Sequence, residues 1–327
     1  MGRLVDSGLG TPRAVRARGP TRAVRAAGLA AFRPSRVRRL GERAIEAVLF
    51  LAALSSVLVT LGIVGLLVFE SLPFFRHVSL LEFITGTEWT PLFANARFGV
   101  LPLVAGTLVT TAVALLVAVP VGTVCAVWLS EYASPRIREL VKPLLELLSA
   151  VPTVVFGYFA LLFVTPALQR AIPWLPSFNM LSAGLVMGIM VIPYVTSLSE
   201  EAMRAVPRAL REGAYALGAT RIQVAWRIVF PAALSGVTAA YILTVSRALG
   251  ETMIVAIAAG MQPTLTLDPT KPAATLTAFI VQVSLGDLPH GSVGYQSIFA
   301  VGLVLMLITL TLNVLGYVIQ RRYREAY

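Results

Sequence analysis

An arginine and a glutamate stand four residues apart inside a long apolar stretch of the sequence. Arg247 and Glu251 are flanked by charge-free runs over residues 228–246 and 252–267. A charge at the centre of a bilayer costs about 2.5–3.5 kcal/mol on insertion scales, so such residues usually face a cavity or a partner. In one continuous helix their i, i+4 spacing places both side chains on one face. The pair therefore predicts either a structural ion pair or a site where Arg247 offers a planar guanidinium to oxyanion oxygens.

A second pattern lies between two apolar stretches, over residues 207–230. Apolar residues follow helical spacing on both sides of Gly218, and Pro207 stands where a first-turn proline is tolerated. This predicts a helix–turn–helix elbow with small residues at its centre. Two roles are open for it: an amphipathic elbow on the lipid surface, or a surface that another protein approaches closely.

Several kinds of chemistry are excluded by what the sequence lacks. No G-x-x-x-x-G-K-[ST] loop occurs, so ATP cannot be bound in the P-loop manner. The chain has two histidines and one cysteine, which leaves no zinc-type cluster and no internal disulfide. Cys125, inside an apolar stretch, is interpreted as a small buried hydrophobe. We therefore predict no catalytic residue, no cofactor and no metal site, and expect energy for any transport to come from another polypeptide.

The elements that position these residues are membrane spans. The chain is 57% hydrophobic and only 13% charged, with a mean hydropathy of +0.80, whereas soluble domains carry about 25% charged residues. A spanning helix needs about 20 mostly apolar residues. Six stretches qualify, at residues 46–69, 100–130, 144–168, 180–199, 231–256 and 296–319. The apolar segment 273–285 is short for a span, so we expect a re-entrant or interfacial helix there, with a simple surface loop as the alternative.

Basic residues predict the orientation. With six spans, 22 of the 27 Lys and Arg residues fall on the side that holds both termini and the elbow, and four fall on the other side. The positive-inside rule then places both termini in the cytoplasm. Residues 1–43 alone hold eleven Arg, and we predict a disordered cytoplasmic tail near anionic lipid. Because the tail lacks interleaved aromatics and precedes a long apolar run, no nucleic-acid binding is expected. Residues 321–327 form a basic cytoplasmic end, and 44–320 the membrane domain.

The elbow carries a motif whose spacing resembles the EAA loop of ABC importer permeases. That loop reads Glu-Ala-Ala, three residues, Gly, nine residues, Ile, one residue, Leu-Pro. The matching positions here are Glu212, Gly213, Ala214, Gly218, Ile228, Phe230 and Pro231. Two of them depart from the motif, Gly213 for alanine and Phe230 for leucine. The resemblance implies that the elbow is a coupling helix that docks into a cytoplasmic ATPase subunit.

Further segments are similar to those of phosphate-specific permeases. They are LSEY at 129–132, KPLLELL at 142–148, VPTVVFG at 151–157, RALGET at 247–252 and GDLPHGS at 286–292. The long segment between the first two spans, with EWTP at 88–91, favours the PstC-type subunit over its PstA-type sister. The resemblance covers about residues 45–320.

This resemblance implies an all-α type I ABC importer (MetI-like) permease fold in a bacterial inner membrane. It implies as partners a PstA-type permease, a PstB-type ATPase dimer and a PstS-type outer phosphate-binding protein, which segment 261–295 should receive. Arg247 and Glu251, with Glu146 as a weaker candidate, would line the translocation pathway. An importer for another oxyanion or small solute, and an unrelated channel or carrier, remain as alternatives.

Overall fold

Helices make up almost all of the regular structure in residues 36–93 and 95–322, the part of the chain that the computed structural model describes. Within that part, the one β pairing is an isolated bridge between Trp89 and Phe98. The helices are α1 Arg36–His77, α2 Leu80–Thr85, α3 Leu101–Val127, α4 Pro135–Ala150, α5 Thr153–Phe159, α6 Thr165–Ala171, α7 Met180–Arg204, α8 Arg208–Ala216, α9 Arg221–Val224, α10 Phe230–Ala232, α11 Leu234–Leu249, α12 Met253–Ala258, α13 Leu276–Gln282 and α14 Val293–Arg322.

The two ends of the chain lie largely outside the described residues. Most of the predicted tail 1–43 and of the basic end 321–327 is therefore not covered. The tail is predicted to be disordered up to residue 43, whereas α1 already begins at Arg36, so residues 36–43 are helical. Residues 36–43 contain mostly good helix formers, so the helix continues past its apolar part. The chain divides into two compact units, residues 1–62 and 63–327. In the first unit, residues 41–62 are an exposed helical segment of α1.

Within the described part, five helical segments are long and apolar enough to cross a membrane, or six if a bent pair counts as one span. This agrees with the six predicted spans. Four of them are single segments near the predicted positions, at Gly41–His77, Leu101–Tyr132, Met180–Arg204 and Val293–Arg321. Short π-helical turns extend two spans: Trp128–Tyr132 continues α3, and Ala160–Val164 joins α5 to α6.

The third span begins later than the predicted 144–168. Val151 and Pro152 are extended, and they separate amphipathic α4 from the spanning segment Thr153–Ala171. The residue before a proline is sterically driven out of the α region, so the helix ends there. No residue of α4 is buried in the isolated chain. Residues 144–150 therefore belong to a separate amphipathic helix and not to a span.

The fifth span is broken twice, so the prediction of a continuous helix over 231–256 is also wrong. Arg221–Ala232 and α11 meet at an angle of 73°, just after Pro231. Proline cannot donate a backbone hydrogen bond and disfavours continuation of the preceding turn. A second break follows at residues 250–252, where α11 ends and α12 has not yet begun.

The centre of the bundle is the close packing of α3 against α7. A Cβ added at Gly184 would lie 2.7 Å from Val113, and one at Gly188 would lie 2.8 Å from the carbonyl oxygen of Ala114. Small residues at such positions let two membrane helices approach until their backbones are nearly in contact. Around this contact a core of Ala, Val, Ile and Met side chains, with Phe156 of α5, connects α3, α5, α7, α11 and α12.

Each end of the bundle has its own apolar cluster. At the end where α3 begins, five aromatic rings pack edge to face; they are Phe74, Phe83, Trp89, Phe98 and Phe279. At the end where α7 leads into the elbow, Val127, Met203 and Val224 belong to a third cluster. We call this second end the elbow end.

Candidate functional site

The structure brings Arg247 and Glu251 together, but not on one helix face. Arg247 lies in the last turn of α11, whereas Glu251 follows the end of that helix. Arg247 Nη2 lies 3.8 Å from Glu251 Oε2. The predicted pairing is thus present, although the predicted helical geometry is wrong because Gly250 caps α11 before the glutamate is reached.

Glu251 is fixed in place by backbone groups of the second break in span five. Its Oε1 accepts hydrogen bonds from the amides of Met253 (3.2 Å) and Ile254 (3.5 Å). The hydroxyl of Thr277 donates to the backbone carbonyl oxygen of Glu251 at 2.7 Å. The carboxylate side chain is only 2% exposed. These bonds satisfy groups that the break in the helix would otherwise leave unpaired in an apolar environment.

Arg247, in contrast, is held loosely. Its side chain is 40% exposed, and the 3.8 Å ion pair with Glu251 is longer than a charge-assisted hydrogen bond of about 2.7–2.9 Å. The guanidinium therefore retains donors for another acceptor, while the carboxylate beside it is already anchored.

A group of threonines packs beside Glu251, and sequence reasoning missed it. With Glu251 they line a small cleft between α3, α11, α12 and the start of α13; they are Thr107, Thr110, Thr111, Thr275 and Thr277. Thr107 Oγ1 accepts from the amide of Leu276 at 3.0 Å, which ties α3 to α13. No local motif marks these residues, because they come from segments about 170 positions apart.

Glu146 is not brought to this site. It lies exposed on α4, before the break at residues 151–152, so the prediction that it sits within the third span is wrong. Within residues 36–93 and 95–322 it forms no ion pair. Its neighbours Leu144 and Leu147 make the segment apolar enough to resemble a span in the sequence.

The elbow consists of α8, a turn at Gly218, and α9 with the helical residues that follow it. Gly218 has φ +82°, and its amide donates to the Tyr215 carbonyl at 2.9 Å. The amide of Ala219 donates to the Ala214 carbonyl at 3.1 Å, which completes a Schellman ending of α8. Thr220 then caps α9 in a capping box with Gln223. The predicted helix–turn–helix is present, and its glycine is required by the backbone.

The motif residues near the turn form an accessible surface. Glu212, Gly213 and Gly218 are exposed, and nothing lies within 4 Å of a Cβ built at either glycine. Ala214 is partly buried against the elbow-end cluster. Leu217, which sequence reasoning missed, is 91% exposed at the tip of the turn. We call Glu212, Gly213, Ala214, Leu217 and Gly218 the elbow tip.

The later part of the motif is structurally different. Ile228 is half-buried in the π-helical turn Ala225–Val229. Pro231 is exposed in the first turn of α10, immediately before the 73° bend. These two residues therefore lie at the return of the chain into span five, away from the turn.

A network of ion pairs surrounds the elbow end. Glu200, with a fully buried side chain, lies 2.8 Å from Lys142 Nζ, 3.4 Å from Arg138 Nε and 3.7 Å from Arg204 Nη1. Burial opposes the charged form of Lys142, but hydrogen bonds and Coulomb attraction from Glu200 and Glu201 outweigh it and raise the pKa of Lys142 above its ordinary value. The network joins α4 to the end of α7.

At the opposite end, the predicted short helix in 273–285 is present as α13 followed by the π-helical turn Val283–Asp287. Phe279 of α13 is buried, and its ring centroid lies 4.9 Å from that of Trp89. In the loop before α13, the hydroxyl and amide of Thr270 donate to Asp268 and hold the pKa of that carboxyl below its ordinary value.

Comparison with known proteins identifies the class to which this fold belongs. Residues 118–325 match the family described as "Binding-protein-dependent transport system inner membrane component". The chain belongs to this family. It is accordingly a multi-pass inner-membrane component of a transport system that works with a binding protein, and the elbow lies inside the matched region.

Relatives cover most of this permease. A probable ABC transporter permease of Bacillus subtilis, YqgH, is 32% identical over 84% of this chain and 88% of its own length. The phosphate transport system permease PstC of Xylella fastidiosa (strain 9a5c) is 34% identical over 72% of this chain and 77% of its own. The phosphate transport system permease PstC 1 of Mycobacterium tuberculosis is 34% identical over 74% of this chain and 82% of its own length.

Solved transporters share the fold. A chain of a bacterial ABC transporter for the import of alginate aligns with a TM-score of 0.61 at 17% identity, over 88% of this chain and 100% of that chain. A chain of the MetNI methionine ABC transporter, in an inward-facing conformation, aligns with a TM-score of 0.51 at 18% identity, over 69% and 95%. At these identities the likeness supports the permease fold alone.

Proposed function

We propose that this permease is the PstC-type subunit of an ATP-driven importer for inorganic phosphate and forms half of the translocation pathway. Relatives named as phosphate permeases, at 34% identity over more than 70% of this chain, support the substrate class. The observation that carries the proposal is the asymmetry of the intramembrane pair, in which a buried, anchored Glu251 stands beside an exposed Arg247.

In this proposal phosphate binds by exchange of partners. Arg247 faces Glu251 when the site is empty and turns its guanidinium toward phosphate oxygens when the anion passes, a geometry that suits arginine better than lysine. Glu251 keeps its two backbone hydrogen bonds in both states, so no carboxylate is left unsolvated. A Cβ built at Gly250 would lie 3.6 Å from the carbonyl oxygen of Ser246, an ordinary contact, so no close packing confines the backbone beside the pair. Glu146 has no comparable support.

The elbow tip is the proposed contact with the ATPase. Its exposed leucine and small residues would fit a cleft on a partner, and the exposed Glu212 can meet a basic group there. Lys and Arg are in excess at the elbow end and at both termini, which favours a cytoplasmic position for the elbow and for the two termini. Ile228 and Pro231 would direct the chain from the docked elbow back into span five.

The partners follow from the same proposal. A PstA-type permease supplies the other half of the pathway, a PstB-type ATPase dimer supplies energy, and a PstS-type binding protein delivers phosphate to segment 261–295. The basic tail lies near anionic lipid, and no nucleic acid takes part.

The test is uptake by the reconstituted complex. Purified permease, its sister permease and the ATPase are placed in liposomes with ATP inside, and labelled phosphate uptake is measured with the binding protein outside. We expect uptake that requires ATP and is inhibited by unlabelled phosphate but not by sulfate or molybdate. Stronger inhibition by either of the other oxyanions would assign a different substrate, and uptake without ATP would refute the importer.

A further inference from the structure

One arginine of the elbow points away from the elbow tip and into the bundle. Arg211 lies on α8 next to Glu212, yet its side chain is only 15% exposed. Its Nη2 lies 3.1 Å from Glu131 Oε1, and its Nε lies 3.3 Å from both carboxylate oxygens. Glu131 belongs to the π-helical turn that ends span two, and its side chain is 4% exposed. The two residues are 80 positions apart in the chain.

The same guanidinium also holds the end of span four. Nη1 donates to the carbonyl oxygen of Val206 at 2.6 Å, and Nη2 donates to that of Met203 at 2.7 Å. Ser130 further fixes the carboxylate by donating to Glu131 Oε1 at 2.8 Å. One side chain thus connects three elements: the elbow helix α8, the end of span two and the end of span four.

We propose that Arg211 and Glu131 are positioning residues that make the elbow move together with spans two and four. This rests on the proposed function of the elbow as the ATPase contact. The backbone of α8 packs mainly against α9 and the turn that follows it, which belong to the elbow itself. The Arg211 hydrogen bonds, together with the apolar contact of partly buried Ala214, connect α8 to the bundle. A buried bidentate pair has a fixed geometry, so it transmits a displacement better than apolar contact does.

Removal of Arg211 alone is a blunt test, because it leaves the carboxylate of Glu131 buried without its cation and destabilises the fold. The informative variant is the double change Arg211→Met with Glu131→Gln, which leaves no buried charge. A pair that serves only stability is replaceable by neutral residues of similar size. A pair that positions the elbow cannot be replaced in this way, because the double variant also loses the hydrogen bonds from Arg211 to the carbonyl oxygens of Met203 and Val206.

The measured quantity is phosphate transported per ATP hydrolysed in the reconstituted complex. For the double variant we expect normal co-purification of the ATPase, continued ATP hydrolysis, and a fall in the transport ratio of at least about fivefold, the lower range of coupling between sites. Arg136→Ala and Glu139→Ala, exposed charges on α4, are the matched controls and should keep the ratio.

A second readout does not depend on the substrate. Amide hydrogen exchange over residues 208–216 in the assembled complex should be faster in the double variant than in the controls, because α8 is no longer fastened to the bundle. If the unmodified complex hydrolyses ATP but transports no phosphate, the proposed function fails and this readout still tests the pair. An unchanged transport ratio, or unchanged exchange in α8, would overturn the positioning role.

Discussion

Replacement of Arg247 by glutamine should separate transport from assembly. The pair with Glu251 is 3.8 Å long and its arginine is 40% exposed, so its loss should cost about 1 kcal/mol of stability or less. The substitution also leaves the buried carboxylate of Glu251 without its cation, and the two backbone hydrogen bonds that it keeps limit this penalty. The permease should therefore still insert, bind its partners and support ATP hydrolysis.

The loss of transport should be much larger. A hydrogen bond to a charged group contributes about 1.5–3 kcal/mol, so losing one such bond to a passing phosphate corresponds to about a 10- to 150-fold effect. Glutamine offers neither the charge nor the planar fork, and Arg247→Lys should recover little because ammonium is a point charge.

The assay is ATP-dependent uptake of labelled phosphate into proteoliposomes, normalised to the amount of assembled complex. Arg321→Gln, an exposed arginine at the end of α14, serves as the matched control for loss of a positive charge. Near-normal uptake by Arg247→Gln would refute the pathway role and leave the pair as a structural contact.

Three further expectations concern the elbow tip, the opposite end and the buried carboxylate. Leu217→Asp should reduce ATPase co-purification while Leu92→Asp, exposed at the opposite end, should not; equal recovery would contradict docking through the tip. In a Cys125→Ala background, Leu285→Cys (79% exposed) should react with a membrane-impermeant thiol reagent and be protected by excess binding protein, and labelling unchanged by that protein would favour a simple loop. Lys142→Met removes the cation nearest to buried Glu200 but leaves Arg138 and Arg204 beside it, so it should cost less than the about 3–5 kcal/mol of a fully unpaired buried charge, read from thermal unfolding in detergent. Because the folded pKa of Lys142 is raised, its stabilisation is fully present below the ordinary lysine pKa of 10.5 and is lost only as pH rises through the higher folded value; an unfolding temperature unchanged by the substitution at pH 8 would contradict this.

The spans most clearly visible in the sequence are those without charges or internal breaks. Span two is charge-free up to residue 130, and the structure has one helical segment there. The sequence places the start of span three too early, because Leu144 and Leu147 raise the local hydropathy of an amphipathic helix that precedes the span. The sequence also contains signals against a span, since Lys142 precedes Leu144, Glu146 lies between Leu144 and Leu147, and Val151-Pro152 ends the helix.

Motif spacing predicts the elbow but not the reason for its glycine. Sequence reasoning assigns Gly218 to close approach by a partner, whereas its φ of +82° shows that the turn itself requires glycine. A bulky substitution at Gly218 would strain the backbone as well as fill the surface. A loss of docking in such a variant would then have two causes. Leu217 has no such backbone requirement, so it is the cleaner probe of the same surface.

The pair in span five shows how a correct contact can follow from an incorrect geometry. If the two residues stood at i and i+4 of one helix, each side chain would be held mainly by the other, and neither would be the fixed member of the pair. Here α11 ends between them, and Glu251 is instead bound to the amides that begin α12 and, through Thr277, to the segment of α13. The bonds to Met253 and Ile254 are local and depend on the break after α11, whereas the bond from Thr277 joins residues 26 positions apart, which no local pattern predicts. They make Glu251 the fixed member and Arg247 the movable one, which is the property that an anion site in the pathway needs.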